Sequence, residues 1–520
     1  LTLSKPSGLE LNDGTVTVDG GIFDIENHDH PLFVSGLDAT DLATLRFAGG
    51  AATDEPLDLP KLNVGTQTRG RLEVLDGSSI DLDCPLDVAM MYGSEGAIEV
   101  SGYGSAIVRT DPEAQFTIGH SGRGELALSD GGRLIDDFES PDDAGRAILG
   151  FGGPGGPGEG KVTIDGPGSG WFSKNDIVIG KEADGFVTLR SGAAMTARDI
   201  VLGEGRGFGR LDLDGPAIRV SSSRDVVVGY SGVGELVVTG GAQLYSEGGA
   251  IGAQSDSSGS ALVAGPGSAW TLGGSLGVGG GIFDPGGWGA LSVLAEGSVS
   301  VGDTLKIHRD GSLVVEGGSV EAASLVAENV NESTLAFTDG PIAVRGGRFE
   351  WDGGELSFAG PHPFDRPVMT IDGVDDDSQI RDGVNVGPDG RATLNVTGGA
   401  DLGCSKNVVL GQDEGGFGRL DISGEGTRLG MQPYTNYTLT VGDAGRGELT
   451  VSGGALLDTP IAHLAKTATV RADAVVTGQG SLWWNKQRFY LGVDDEEDSQ
   501  QASLAVTDGG RLVNGQMFNI

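Results

Sequence analysis

Asp176-Ile-Val-Ile-Gly180, Gly185-Phe-Val-Thr-Leu189 and Gly192-Ala-Ala-Met195 are followed at once by near copies of themselves. Asp199-Ile-Val-Leu-Gly203 leads to Gly209-Arg-Leu-Asp-Leu213, and Asp225-Val-Val-Val-Gly229 leads to Gly234-Glu-Leu-Val-Val238 and Gly240-Gly241. The same order recurs at Phe116-Thr-Ile-Gly119 with Gly124-Glu-Leu-Ala-Leu128, and at Leu439-Thr-Val-Gly442 with Gly447-Glu-Leu-Thr-Val451. As a consensus this is apolar-x-apolar-Gly, a short turn, Gly-x-Leu-x-Val, then Gly-Gly or Gly-x-Gly-Ser and a third apolar stretch. Its first glycine falls at Gly65, Gly93, Gly119, Gly150, Gly180, Gly203, Gly229 and Gly252, then at Gly387, Gly411, Gly442 and Gly492. Most steps are about 25 residues, the period of a solenoid. One gap of about two periods spans a degenerate copy between Ala462 and Trp484.

The internal periodicity decides what one repeat can be. Leu72-Glu-Val74, Val187-Thr-Leu189, Leu211-Asp-Leu213 and Leu394-Asn-Val396 alternate apolar and polar residues, the pattern of a strand with one buried face. Stretches of 3 to 5 residues bounded by glycine are too short for helices, which also lose roughly 1 kcal/mol per interior Gly. The reading is all-β: a single-stranded right-handed parallel β-helix with about 25 residues, three short strands and three glycine corners per coil, and roughly twenty coils stacked about 4.8 Å apart. Stacking puts Arg210 beside Glu235 and Arg419 beside Glu448, favourable pairs of roughly 0.2 to 1 kcal/mol. It also puts Glu73 beside Glu99, a mild cost unless a cation relieves it.

The segmentation follows the repeats. Residues 1–61 carry Thr15-Val-Thr-Val18 and Thr44-Leu-Arg-Phe47 and read as early coils or a cap; 62–320 and 384–520 are regular repeats. Residues 321–383 lose the period: strands at Leu335-Ala-Phe337, Ile342-Ala-Val344, Phe349-Glu-Trp351 and Leu356-Ser-Phe358 precede a long polar loop from Gly360 through Pro367 to Asp377. That loop is the first place to expect a protruding interaction site, against the plainer reading of a degenerate coil with a long corner.

Gly166-Pro-Gly-Ser-Gly-Trp171, Gly265-Pro-Gly-Ser-Ala-Trp270 and Gly478-Gln-Gly-Ser-Leu-Trp483, together with the alternating Gly-x-Leu-x-Val units, complete the pattern. Over about residues 62–320 and 384–512 the chain resembles the passenger-associated repeats of bacterial autotransporter and related surface proteins. The resemblance implies a secreted right-handed β-helix on a bacterial cell surface, an adhesin or structural stalk. The sequence shows no C-terminal membrane barrel of the autotransporter kind, and Leu1 is followed by no signal-like segment, so a processed or trimmed chain is expected.

Composition bounds the partners. The chain has 520 residues, 94 of them Gly, with 34 Lys+Arg against 74 Asp+Glu and a formal net charge of -40. Such a charge excludes nucleic acid and anionic membrane surfaces as partners, and no run of about 18 apolar residues offers a membrane span. At 38% hydrophobic residues the chain folds, and its glycines lack the every-third spacing of collagen. Homo-oligomers or filaments through coil ends or ladder edges are expected, with a surface glycan or protein as further ligand. Cys84 and Cys404 lie about thirteen periods apart, far beyond the roughly 7 Å a disulfide spans, so they are expected unpaired.

Candidate chemistry is thin, and the expectation is no catalytic, cofactor-binding or metal residue and no cofactor beyond loosely bound divalent cations. His28-Asp-His30 offers two metal ligands without a third, and the other histidines (His120, His308, His362, His463) are scattered. No nucleophile elbow or paired spacing supports a Ser-His-Asp or Cys-His site. The glycine run Gly150–Gly158 opens no helix, so it reads as a flexible corner rather than a phosphate loop. Gly415-Gly-Phe-Gly-Arg-Leu-Asp421 nearly matches a calcium-loaded β-roll, but the Asp arrives one residue late. Asp375–Asp377 and Asp494–Asp498 read as solvated acidic loops, and the sequons at Asn331, Asn395 and Asn436 as chance. The alternative to a structural or adhesive role is a polysaccharide lyase or glycosidase, whose carboxylates could come only from the region of Arg345, Asp352, Glu355, His362, Asp365 and Arg366.

Overall fold

The computed structural model describes residues 2–3, 9–25, 30–38, 40–53, 55–136, 138–139, 145–153, 156–329, 334–362, 364–433, 436–467, 470–492 and 501–519. Every regular element among them is a β-strand, and the chain is an all-β parallel solenoid of about 18 turns of about 26 residues. The roughly twenty coils expected are corrected to that number; insertions lengthen several turns. The chain divides into two units: residues 1–272 with 286–289, and residues 273–285 with 290–520.

In the first unit the Gly-x-Leu-x-Val segments are seven-residue strands, longer than the three to five residues read from the sequence, because the residue before each motif glycine and the residue after its last apolar position also belong to the strand. Arg69–Leu75, Glu95–Ser101, Arg123–Ser129, Glu159–Asp165, Asp184–Arg190, Phe208–Asp214, Val233–Thr239 and Ser258–Ala264 form one parallel ladder, Leu72 beside Ile98, Ile98 beside Leu126, Val187 beside Leu211. Alternate residues point inward, and Leu72, Val74, Leu211 and Leu213 are fully buried. Each such side chain contributes roughly 1.5–3 kcal/mol relative to exposure. Gly14–Asp19 and Leu42–Ala48 extend the same ladder ahead of Arg69–Leu75. The step from Leu126 to Val162 is longer, in part because the glycine run inserts an antiparallel hairpin, Gly152–Gly153 with Gly156–Pro157, where a flexible corner was expected.

The repeat glycines do two jobs, not one. Gly180 turns a corner at φ 75°. Gly209 has no such conformation; a Cβ there would lie 1.9 Å from the carbonyl oxygen of Ile179 in the preceding turn. At Gly209 the motif glycine is therefore required by close approach of backbones, not by backbone handedness, whereas other coils carry alanine at the equivalent place, Ala392 beside Gly418 and Ala472 beside Gly447. Two corners that lack the motif glycine use alanine at positive φ: Ala89 (58°), where the sequence pointed to Gly93, and Ala465 (55°), which fills the double-length gap. Ala465 N–H donates to Val441 O just as Gly442 N–H donates to Leu410 O, so that degenerate copy is a regular turn.

The Gly-x-Gly-Ser-x-Trp segments link successive turns. Ser169, Ser268 and Ser481 accept hydrogen bonds from Gly131, Gly241 and Gly454 N–H at 2.9–3.0 Å. The indoles of Trp171, Trp270 and Trp483 are fully buried and donate to Asp136, Ser246 and Thr459 of the turn before. Each motif thus joins its own coil to its predecessor through both corner and core.

In the second unit residues 321–383 diverge in sequence while the pairing continues. Val320 pairs with Ile342, Ile342 with Met369 and Met369 with Leu394. The expected polar loop is interrupted by a strand, Val368–Asp372, which keeps that register. The divergence is a phase step. Gly311–Glu316, a Gly-x-Leu-x-Val strand, pairs with Leu335–Asp339. The next such strand, Arg391–Thr397, instead joins the ladder of Ser298–Ile307, Ser319–Ala327, Pro341–Arg345 and Val368–Asp372. A new ladder starts at Leu356–Phe358 with Val384–Val386 and continues through Val408–Leu410 and Thr438–Val441. After the step the repeat is threaded one strand out of phase with the coils before it.

Candidate functional site

Charged side chains in both units are organised as cross-turn pairs. Arg210 reaches Glu235 at 2.8 Å and Arg419 reaches Glu448 at 3.9 Å, as the stacking implied. The unfavourable Glu73–Glu99 contact is relieved: Arg46 and Arg71 both pair with the buried Glu73, and Arg71 also holds Glu99. Other buried carboxylates sit between two basic side chains in the same way: Asp87 with Lys61 and His120, Glu350 with Arg348 and Arg381, Asp458 with Arg428 and Lys486. Burial alone disfavours the Asp87 carboxylate, but the contacts to His120 and Lys61 outweigh it and hold the group below its ordinary range.

The catalytic alternative named a group on residues 345–366. Arg345, at the end of a strand, pairs with Glu321; Asp352, beyond the next strand, pairs with Arg381. Asp365 closes its own loop by accepting the His362 N–H at 2.8 Å, and the Arg366 N–H is held by Asp339. The structure spreads these groups over successive strands and a corner and engages them in separate contacts.

His28 of the suggested His28 and His30 pair lies outside the described residues, as do Asp494–Asp498 and the Asn331 sequon. Among the described residues no group of three or more His, Cys, Asp or Glu side chains is placed to hold a metal ion. Asp375–Asp377 are exposed, and Asp421 is taken by Arg419 at 2.6 Å. Asn395 donates to Thr370 in the preceding turn. His463 stacks on Tyr490 with centroids 4.3 Å apart, and burial lowers its pKa. Cys84 and Cys404 are buried free thiols, each pushed up to about 11 by burial.

The sequence reading missed a trough in the first unit. Strands Gly170–Ser173, Ala194–Ala197, Arg219–Ser222 and Gln243–Ser246 pair in parallel, turning Trp171, Met195, Val220 and Leu244 inward. Their outward column is Phe172, Thr196, Ser221, Tyr245. At the corner that follows, Arg198 N–H donates to Asn175 O and Arg224 N–H to Arg198 O, which stacks Arg224 on Arg198 and Arg198 on Asn175 in successive turns, with Lys174 next to Asn175. Together these residues bound a trough of about 960 Å³, with Glu139 also in its lining. Beneath it, Asp176 grips Arg198 through two contacts of 2.7 and 2.9 Å and also accepts from Arg146. Burial opposes ionisation of Asp176, but these guanidiniums outweigh it and hold the carboxyl below its usual range. The neighbouring Asp199 is pushed up by burial; its cation, Arg224, stands 3.6 Å away and is mostly exposed. The available sequence signal was the Arg-Asp pair at Arg198-Asp199 and Arg224-Asp225, one period apart.

No family model, no curated protein and no solved structure matches this chain.

Proposed function

We propose that this chain is a secreted or cell-surface bacterial β-solenoid of structural or adhesive role, non-catalytic and self-associating, of the kind its autotransporter-like repeats suggest. Its repeating unit is a right-handed coil of about 25 residues and three strands, and it works without a cofactor.

The observation that carries this reading is a surface column. Arg69, Glu95, Arg123 and Glu159 are stacked neighbours at the start of four successive strands, alternating in sign. Their contacts within the chain are long, 3.5 Å for Arg69–Glu95 and 3.6 Å for Arg123–Glu159, and all four side chains are more than 40% exposed. The pattern is self-complementary: a two-fold axis parallel to the strands, passing between Glu95 and Arg123, sets Arg69 against Glu159 of a second copy and Glu95 against its Arg123. The same operation opposes Arg71 and Lys161, but Arg71 is already drawn down onto Glu73 and Glu99. Each exposed pair is worth about 0.2–1 kcal/mol, so association depends on several acting together and weakens with salt.

Sedimentation at low and high salt tests the reading. Self-association that fades with salt, is lost in Arg123→Glu and in Glu95→Arg alone, and returns when the two variants are mixed supports it. Salt-independent monomers, or robust cleavage of acidic or neutral polysaccharides by the chain, would sink it.

A further inference from the structure

We infer that the trough lined by Lys174, Arg198, Arg224, Thr196, Ser221 and Tyr245 binds an anionic oligosaccharide of three or four sugars lying along the stacking direction. This rests on the proposed adhesive role and names the chemistry of one binding face.

Three features carry it. The first is shape: the trough holds about 960 Å³, at the upper end of the range of small-molecule sites. Its lining runs over five successive turns from Glu139 to Tyr245, roughly 19 Å at about 4.8 Å per turn. That is the scale of a short oligosaccharide and too long for a single small anion.

The second is charge. In a chain with 34 cationic and 74 acidic side chains, Arg198 and Arg224 stack at this corner and Lys174 lines the same trough. Arg198 is fixed by its two contacts with the buried Asp176, so its guanidinium is held in place before any ligand arrives. Arg224 is 65% exposed and its partner Asp199 is 3.6 Å away, a contact loose enough to yield to an anionic oxygen presented in line with the guanidinium fork. Asp176 and Asp199 lie beneath these guanidiniums and Glu139 lines the trough, so a bound anion is held by Arg224 and Lys174 at the rim and its binding is sensitive to salt.

The third is the floor. Thr196 and Ser221 point outward as neighbours in the ladder, giving hydroxyls that both donate and accept, as sugar hydroxyls require. Tyr245, 44% exposed, stands beside Ser221 and presents a ring to the apolar face of a sugar, while Glu139 can accept from hydroxyls farther along. A protein partner would need a wider surface than the eleven residues that line the trough.

Carboxylates of uronic acids and sulfate esters share the required chemistry, and titration distinguishes them. The full chain is titrated calorimetrically with trigalacturonate, with a sulfated trisaccharide and with maltotriose, at low and at moderate salt. Binding of either anionic sugar but not of maltotriose, weakened by salt and reduced at least tenfold in Arg224→Ala and in Tyr245→Ala, is the expected result and identifies the anion. Both variants alter exposed side chains, and circular dichroism checks that they fold. No binding of either anionic sugar, equal binding of maltotriose, or variants within twofold of the wild type would overturn the inference. The sugars recovered afterwards separate it from the functional reading: cleaved sugar leaves the trough standing and removes the non-catalytic role, whereas absent binding without cleavage removes only the trough.

Discussion

Arg109 Nη1 donates to Asp136 Oδ1 at 2.9 Å from the equivalent position of the adjacent turn, and neither side chain is more than 1% exposed. The same guanidinium lies 5.4 Å from the Phe116 ring, and the Trp171 indole donates to the other oxygen of Asp136. A buried pair of this kind is costly to break, because the survivor is left charged and unsatisfied. Asp136→Ala is expected to destabilise the chain by about 3–5 kcal/mol in urea unfolding. The double replacement Arg109→Met with Asp136→Leu recovers most of the loss; a double variant as unstable as the single one would show that packing, not charge, dominates there.

The coil itself was legible from Asp176–Met195 and its copies, because a period-two strand leaves its mark in every repeat. The phase step at 356–372 was not, since it changes which strand pairs with which while leaving the apolar alternation of each untouched. The turn at Ala465 was legible only as a degenerate copy between Ala462 and Trp484, because alanine replaced the glycine that marked the others. The trough was hidden for a different reason: Lys174, Arg198 and Arg224 come together only through stacking, and the sequence presents each as an ordinary corner residue.

Close approach at Gly209 yields a second prediction. Gly209→Ala drives a Cβ against the Ile179 carbonyl, and the ladder must shift to accept it, at about 3 kcal/mol by analogy with overpacked cores. Gly281→Ala meets nothing within 4 Å and should stay within about 0.5 kcal/mol of wild type. Comparable unfolding midpoints for the two variants would contradict the close-approach account.

Thiol chemistry provides a third. The thiolate is the reactive form, and at pH 8 neither Cys84 nor Cys404, each near 11 and buried, supplies it. The native chain should leave Ellman's reagent unreacted over hours, and both thiols should react once guanidinium chloride unfolds it. Rapid labelling of folded protein would mean that a turn opens locally.

Asp176 and Asp199, successive acids under the trough, respond to pH in opposite senses. The folded pKa of Asp176 lies below its unfolded value of about 3.9. Its contribution is therefore complete above that value and is lost as pH falls through the folded pKa. Asp199 is raised in the folded chain, so its contribution is present below about pH 3.9 and is lost as pH rises through the folded pKa. At pH 7 Asp176→Asn should lower the thermal midpoint clearly, whereas Asp199→Asn, which keeps an acceptor for the Asp225 N–H, should change it little or raise it. Equal losses at pH 7 would reverse this assignment.

The phase step bears on how such a chain can be lengthened or shortened. Excising or duplicating one whole repeat among Glu159–Asp214 returns every strand to a ladder of its own kind, so unequal crossing-over there is structurally silent. Within the second unit, a crossover that aligns Gly311–Glu316 with Arg391–Thr397 by sequence joins coils that differ by one strand, and the recombinant has a ladder with no partner. Coil number can drift on either side of residues 356–372, while that segment itself is inherited whole.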